Sequence, residues 1–216
     1  MNIGVLCAAS LEFDAVVERL KAVEEKSVLK RRFASVDISG NRYFIIQTGI
    51  AKANAAMSAQ YLIDNFKLDL LLNLGTCGAL KDKFEIGDVV VCQEIINHDL
   101  VSEMIIEGPP YTYEGIFKLP EDLRDKFVDS STKTVRIVTG ETFIDDGNRN
   151  DIINRYHPDV VDMETAAFAQ VAFSNDVKFI SIRAISDTPK ESGLDVFYRN
   201  AQMVTMKATE YFLSKI

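Results

Sequence analysis

The chain reads as an α/β protein in which helices cover both faces of a mixed, mostly parallel sheet. Three features of the sequence predict this. Short apolar runs alternate with stretches of helical period through its second half. The runs at 2–8 and 68–74 lack polar/apolar alternation, the pattern of strands buried on both faces. Residues 32–38 and 42–48 are β-rich and flank Ser39-Gly40-Asn41, a tight-turn sequence, so one antiparallel hairpin joins the sheet.

Residues 2–8 lead directly into Leu11, Phe13, Val16, Val17 and Leu20 at helical spacing, which makes a first strand–helix unit. After the hairpin, the alanine-rich stretch 52–65 has the propensities of a helix and feeds the 68–74 strand. Further strands are predicted at 88–96, 134–139, 159–162 and 178–185, and helices at 148–156, 164–175 and 196–214. The segment 100–118 fits no period and reads as a long loop, of the kind that forms lids, binding loops or interfaces. No repeat, low-complexity tract or Pro/Gly/Ser linker interrupts the chain, so one domain over residues 1–216 is expected.

With 216 residues, 47% of them hydrophobic, the chain can bury one large core. Its formal net charge of −8, with no concentrated run of Lys and Arg, argues against a nucleic-acid partner. The opening MNIGVLCAAS lacks a basic flank and reads as a buried strand rather than a signal peptide. No apolar stretch approaches the roughly 18 residues that span a bilayer, so no membrane association and a cytoplasmic location are expected. Cys7, Cys77 and Cys92 are widely spaced, form no CxxC pair and have only His98 and His157 to help them; they read as small core residues, with no metal site.

In open α/β sheets ligands collect outside the carboxyl ends of the strands. Four places there are polar or glycine-rich: Ser10 and Glu12; Gly75-Thr76-Cys77-Gly78; Asp162, Met163 and Glu164; and Ser186 with Asp187. Carboxylates converging on one cleft make a plausible acid/base set, because glycosidic cleavage needs a proton for the leaving group and an activated water. Each acid reads equally well as a helix cap or a first-turn charge, and Asp187-Thr188-Pro189 as a capped turn. The Gly-Thr-Cys-Gly segment is either tight packing at a strand end or a turn that lets backbone N–H groups approach a ligand.

Several segments in order carry a resemblance: IGVLCAASLEFDAV at the start, TGIAKANAA from Thr48, NLGTCGAL from Asn73, IGDVVV from Ile86, TGETFI from Thr139, VDMETAAFAQVA from Val161 and FISIRAISDTP from Phe179. Over nearly the whole chain they resemble the purine nucleoside phosphorylase/nucleosidase family, and within it the methylthioadenosine/adenosylhomocysteine nucleosidases. The resemblance implies a three-layer α/β/α sandwich around a mixed, partly barrel-like sheet. It also implies an N-glycosyl hydrolase that needs no cofactor and releases adenine and a 5-thio-substituted ribose from a small-molecule nucleoside. Carried over by motif, Asp187 is similar to the acid at purine N7, with Ser186 beside it, and Glu12 to the residue that activates water, with Arg183 and Thr76 as neighbours. Glu164 corresponds to the carboxylate on the ribose hydroxyls, with the Met163 backbone alongside. Phe143 would stack on the base, the Ile144 backbone would meet its edge, and Ile50, Met163 and Phe197 would surround an apolar 5′ substituent.

The sequence departs from the family pattern at Thr76, where Ser is usual, at Ala51, where Gly is usual, and at Ala9-Ser10-Leu11, where acidic residues are usual. The 100–118 segment, with Tyr111, Tyr113 and Phe117, does not align; the resemblance implies a homodimer in which such a loop closes the partner's 5′ pocket. A phosphorylase is the nearest rival activity. The carboxylate of Glu12 and the Asn73 side chain stand where arginines would be expected to hold phosphate, which favours water as the nucleophile. A nucleoside-binding protein without turnover would have no use for both Glu12 and Asp187.

Overall fold

A computed structural model of the chain describes residues 1–22, 24–100, 115–142, 144 and 149–216. In chain order the elements are β1 (Asn2–Cys7), α1 (Ser10–Leu20), β2 (Glu25–Val28), β3 (Arg31–Ile38), β4 (Asn41–Gln47), α2 (Lys52–Asn65), β5 (Leu70–Ala79) and β6 (Val89–Asn97). They continue with β7 (Ile116–Lys118), α3 (Glu121–Phe127), β8 (Lys133–Thr139), α4 (Arg149–Tyr156), β9 (Val160–Asp162), α5 (Thr165–Ser174), β10 (Phe179–Asp187) and α6 (Leu194–Leu213). All these strands belong to one sheet, ordered β10-β6-β8-β9-β5-β1-β4-β3-β2, with β7 on the edge of β6. Because β10 also pairs with β5, the strands β5, β9, β8, β6 and β10 close into a barrel, and β1 to β4 extend from it as an open wing. Five pairings are parallel and five antiparallel, so the sheet is more evenly mixed than the strand–helix alternation suggested.

Helices form a layer on each side. On one face α1 packs on α6, burying Phe13, Val16 and Leu20 with Val204, Ala208 and Phe212. Their spacing of three and four residues puts each set on one stripe of its helix, and burying each large side chain contributes about 1.5–3 kcal/mol. On the other face α2 packs on α5, where Ala55, Ala59 and Leu62 meet Ala166, Phe168 and Ala172. The alanines allow these two helices a close approach. The result is the three-layer sandwich with a partly closed central sheet.

Three elements differ from the sequence reading. β2 pairs with β3 through a turn at Leu29-Lys30, both in the left-handed region (φ 50° and 59°). β7 lies inside the stretch expected to be all loop, and its Phe117 is buried against the Phe173 ring at 5.8 Å, so that aromatic serves the chain's own core. Tyr111 and Tyr113 lie outside the described residues. α3 follows Pro120, with Leu123 and Phe127 as its buried face.

Candidate active site

The strands that close the barrel deliver the polar residues to one place. β5 is longer than expected: Gly75 to Gly78 are ladder residues paired with β10, not a turn after the strand. The glycines make room for acids. A Cβ on Gly75 would sit 2.5 Å from Glu12 Oε1, and one on Gly78 would sit 3.0 Å from Asp187 Oδ2. Glu12, in the first turn of α1, is 2% exposed. Its Oε2 accepts from the Ala8 and Ala9 amides, both at 2.9 Å, while Oε1 accepts from the Thr76 amide (2.7 Å) and hydroxyl (2.9 Å). The capping reading of this acid is thus partly right: one oxygen tethers the start of the helix and the other faces β5.

Behind Glu12 lies a buried polar network. Arg183 on β10 is 1% exposed; its Nη1 donates to Asn73 Oδ1 at 2.9 Å, and its Nη2 lies 3.1 Å from Asp162 Oδ2 and 4.0 Å from Glu164 Oε2. Asn73 Oδ1 also accepts from the Ser181 and Thr165 hydroxyls, and its amide donates to the Leu6 carbonyl. Asp162 takes the Thr139 hydroxyl at 2.6 Å and the amide of Thr165 at the start of α5. Arg183 Nε has no hydrogen-bond partner among the described residues. Such a guanidinium is held in one orientation from two sides, at a site where an unmatched charge would be costly.

Glu164 precedes α5, yet its side chain does not cap that helix; Oε1 instead accepts at 2.9 Å from the amide of Ala51, which precedes α2. Burial, and then the neighbouring Asp162 carboxylate, push the Glu164 carboxyl well above its ordinary range. Asp187, the last residue of β10, accepts from the Ser186 hydroxyl at 2.6 Å. Burial raises its pKa, opposed by the Ser186 hydrogen bond and by the charge of Arg149. The turn that follows is closed without it, through Thr188 and Glu191 backbone bonds and the Thr188 hydroxyl. That removes the capped-turn reading of Asp187.

The described residues to which the resemblance gives a role line one cavity: Glu12, Ile50, Thr76, Ile144, Met163, Glu164, Arg183, Ser186, Asp187 and Phe197; Cys77, Gly78 and Asp162 join them, whereas Ser10 and Gly75 are not part of its lining. Phe143 lies outside the described residues. The wall also contains residues that sequence reasoning missed, among them Arg149, Leu194 and Tyr198. Leu194 and Tyr198 carried a usable signal, since both lie within one turn of Phe197 on α6; Arg149 carried none.

A closed five-stranded barrel with this cavity at its edge can be compared with known proteins. A sequence model of the phosphorylase superfamily matches residues 2–215. The chain belongs to the phosphorylase superfamily. Within the phosphorylase superfamily it is 33% identical to a 5′-methylthioadenosine/S-adenosylhomocysteine nucleosidase of Listeria innocua, over 87% of this chain and 86% of the relative. It is 30% identical to one of Anoxybacillus flavithermus, over 97% and 95%. The nucleosidase of S. pneumoniae, solved with a transition-state inhibitor, superposes with a TM-score of 0.86 at 24% identity, covering 99% of this chain and 97% of that one. A futalosine hydrolase of Helicobacter pylori superposes with a TM-score of 0.85 at 19% identity, covering 100% and 97%. These structural likenesses establish the fold that the superfamily shares.

Proposed function

We propose that this chain hydrolyses the N-glycosidic bond of 5′-methylthioadenosine and S-adenosylhomocysteine-type nucleosides, releasing adenine and a 5-thio-substituted ribose. Two curated relatives at 30% identity or more, matched over most of both chains, carry that activity in their names. The observation that carries the reading is the pair of acids in one cavity, Glu12 bonded by four donors and Asp187 held high by burial.

In this reading Asp187 keeps its proton and gives it to purine N7 as the bond breaks, and Ser186 then stabilises the carboxylate left behind. Glu12 Oε1 takes the proton of the attacking water. The Thr76 hydroxyl, which lies 2.9 Å from that oxygen, can swing its hydrogen to the water and free a lone pair for this. Glu164 bonds the ribose hydroxyls, and the Arg183 guanidinium, 4.0 Å from its Oε2, works against the burial that raises its pKa. Phe143 and Ile144 hold the base, while Ile50, Met163 and Phe197 pack on the 5′ substituent. Phosphate is disfavoured as the nucleophile because Arg183 is already committed to Asp162 and Asn73, and the Glu12 carboxylate faces the same space.

The same reading takes the chain as one domain, a homodimer and a cytoplasmic enzyme, with a place in methionine salvage. No helix among the described residues is long and apolar enough to cross a membrane. Light scattering that shows a fully active monomer at micromolar concentration would remove the dimer. The activity itself is tested by incubation with methylthioadenosine in phosphate-free buffer. Free adenine and 5-methylthioribose are expected. Strict phosphate dependence with a ribose 1-phosphate product would overturn hydrolysis, and tight binding without adenine release would leave a binding protein.

A further inference from the structure

β10 does not run straight to its end. Its pairing with β5 steps from Ile185↔Cys77 to Asp187↔Gly78, so Ser186 is the extra residue of a bulge. Neighbouring strand side chains normally point to opposite faces, and a bulge is the device that re-aims one of them. Ser186 and Asp187 both line the cavity for this reason. A bulged carbonyl needs a partner outside the regular ladder, and the Ser186 carbonyl has one: Asn200 Nδ2 donates to it at 3.0 Å.

Asn200 sits on α6, three residues after Phe197 and six after Leu194, so these three side chains share one helix face. Leu194, Phe197 and Tyr198 form part of the cavity wall, and the Phe197 and Tyr198 rings contact each other at 5.3 Å. One stretch of helix therefore carries both an apolar wall of the cavity and the side chain that holds the bulge. On its other side Ser186 is tied down through its hydroxyl, which lies 2.6 Å from Asp187 Oδ1 and 3.3 Å from the Cys77 carbonyl. The Asn200 bond ties the backbone next to the acid to the helix.

We infer that Asn200 is a positioning residue for Asp187: through its bond to the Ser186 carbonyl it fixes the bulge that aims the acid at the leaving group, and it ties that aim to the helix facing the 5′ end of the substrate. The inference rests on the nucleosidase reading. Asn200 touches no reacting atom, so its loss leaves the nucleophile at Glu12 and the sugar contacts at Glu164 in place. The cost falls on the step that needs the proton.

The test compares wild type with Asn200→Leu, which keeps the approximate volume and removes the donor, and with Asn200→Gln, which restores an amide. Turnover is measured on 5′-methylthioadenosine and on its 6-chloropurine analogue, whose electron-poor base departs with less help from a proton. For Asn200→Leu, kcat on the adenine nucleoside should fall about tenfold or more, since small misplacements of a catalytic group carry costs on that scale. KM should change less than about twofold, and the chloropurine analogue should be slowed less than about threefold, because transition-state contacts other than the proton are kept. Asn200→Gln should recover part of the loss. Equal slowing of both substrates, a change confined to KM, or no slowing at all would overturn the assignment. If Asn200→Leu does not fold, Asn200→Asp, an acceptor of nearly the same shape, takes its place in the same comparison. Failure of the wild type to release adenine would instead remove the nucleosidase reading.

Discussion

Glu12 and Asp187 line one cavity, yet among the described residues the first carboxylate accepts from four donors, three of them backbone amides, and the second from the Ser186 hydroxyl. The amides belong to the start of α1 and to β5, where the barrel and the wing of the sheet meet, so Glu12 is set by the fold itself. Asp187 stands on a bulge at the end of a strand and is aimed by side chains. Equal chemistry in unequal surroundings is how two acids in one site take different roles, and in the proposed function Glu12 faces the attacking water and Asp187 the leaving group.

The largest effects come from removing each acid in turn. Positioned proton transfer contributes about 10²–10⁴ in rate, and Asp187→Asn should lose at least that much on an adenine nucleoside. Binding should suffer less, because the amide still bonds the purine edge. On a p-nitrophenyl riboside, whose leaving group departs without protonation, the same variant should be far less affected. Glu12→Gln should slow both substrates, since water attack is common to both. Turnover numbers for the two variants on the two substrates check this. Equal slowing of both substrates by Asp187→Asn would show that the acids do not divide the work.

A smaller and more graded effect comes from the glycines beside the acids. Gly75→Ala would place a Cβ 2.5 Å from Glu12 Oε1 and 3.0 Å from Arg183 Nη1, two groups already held by hydrogen bonds and unable to retreat. Overpacking of that kind costs about 1–3 kcal/mol of stability. A displaced carboxylate should cost about a hundredfold in kcat. For Gly78→Ala the nearest atoms all belong to the Asp187 carboxylate, with Oδ2 at 3.0 Å and Oδ1 at 3.4 Å, and a carboxylate at the end of a side chain can give by a few tenths of an ångström. Its activity loss should stay below about tenfold, which corresponds to about 1.4 kcal/mol. Melting midpoints and kcat for the two variants check the order; a reversal would mean that Asp187 is the more rigidly held acid.

The difference between the two acids also marks how far the sequence could be read. Strand–helix units with a strong apolar period, such as β1 with α1 and β10 before α6, are legible because local burial decides them. The rule that polar residues gather after strands found the cavity wall at Glu12, Glu164 and Asp187. Closure of the barrel was not legible from the residues alone, because β5 pairing with both β9 and β10 is decided by distant partners; only the resemblance pointed to it. Nor was β2, four residues ending in a left-handed turn at Leu29-Lys30 without a glycine to announce it. α3 did carry a signal, Pro120 before Glu121 and Asp122 with Leu123 and Phe127 four apart, but it is short enough to pass as loop. Arg149 enters the cavity through the packing of α4, which no local pattern encodes.

The finest distinction concerns pH. Burial raises the pKa of Asp187, while the Ser186 hydrogen bond and the charge of Arg149 lower it. The Ser186 hydroxyl donates to the carboxylate, so it favours the charged form. Removing it in Ser186→Ala leaves burial less opposed, and Asp187 then keeps its proton to higher pH. If Asp187 must be protonated to act, activity is lost as pH rises through its pKa, and the alkaline limb of the kcat profile in Ser186→Ala should move to higher pH. The plateau should fall modestly, because the carboxylate formed on proton transfer has lost its partner and the acid is weaker. Arg149→Met removes the opposing charge and should move the limb in the same direction. A shift of the alkaline limb to lower pH in either variant would mean that the group titrating there is not an acid held protonated by burial, and the division of roles between Asp187 and Glu12 would have to be reversed.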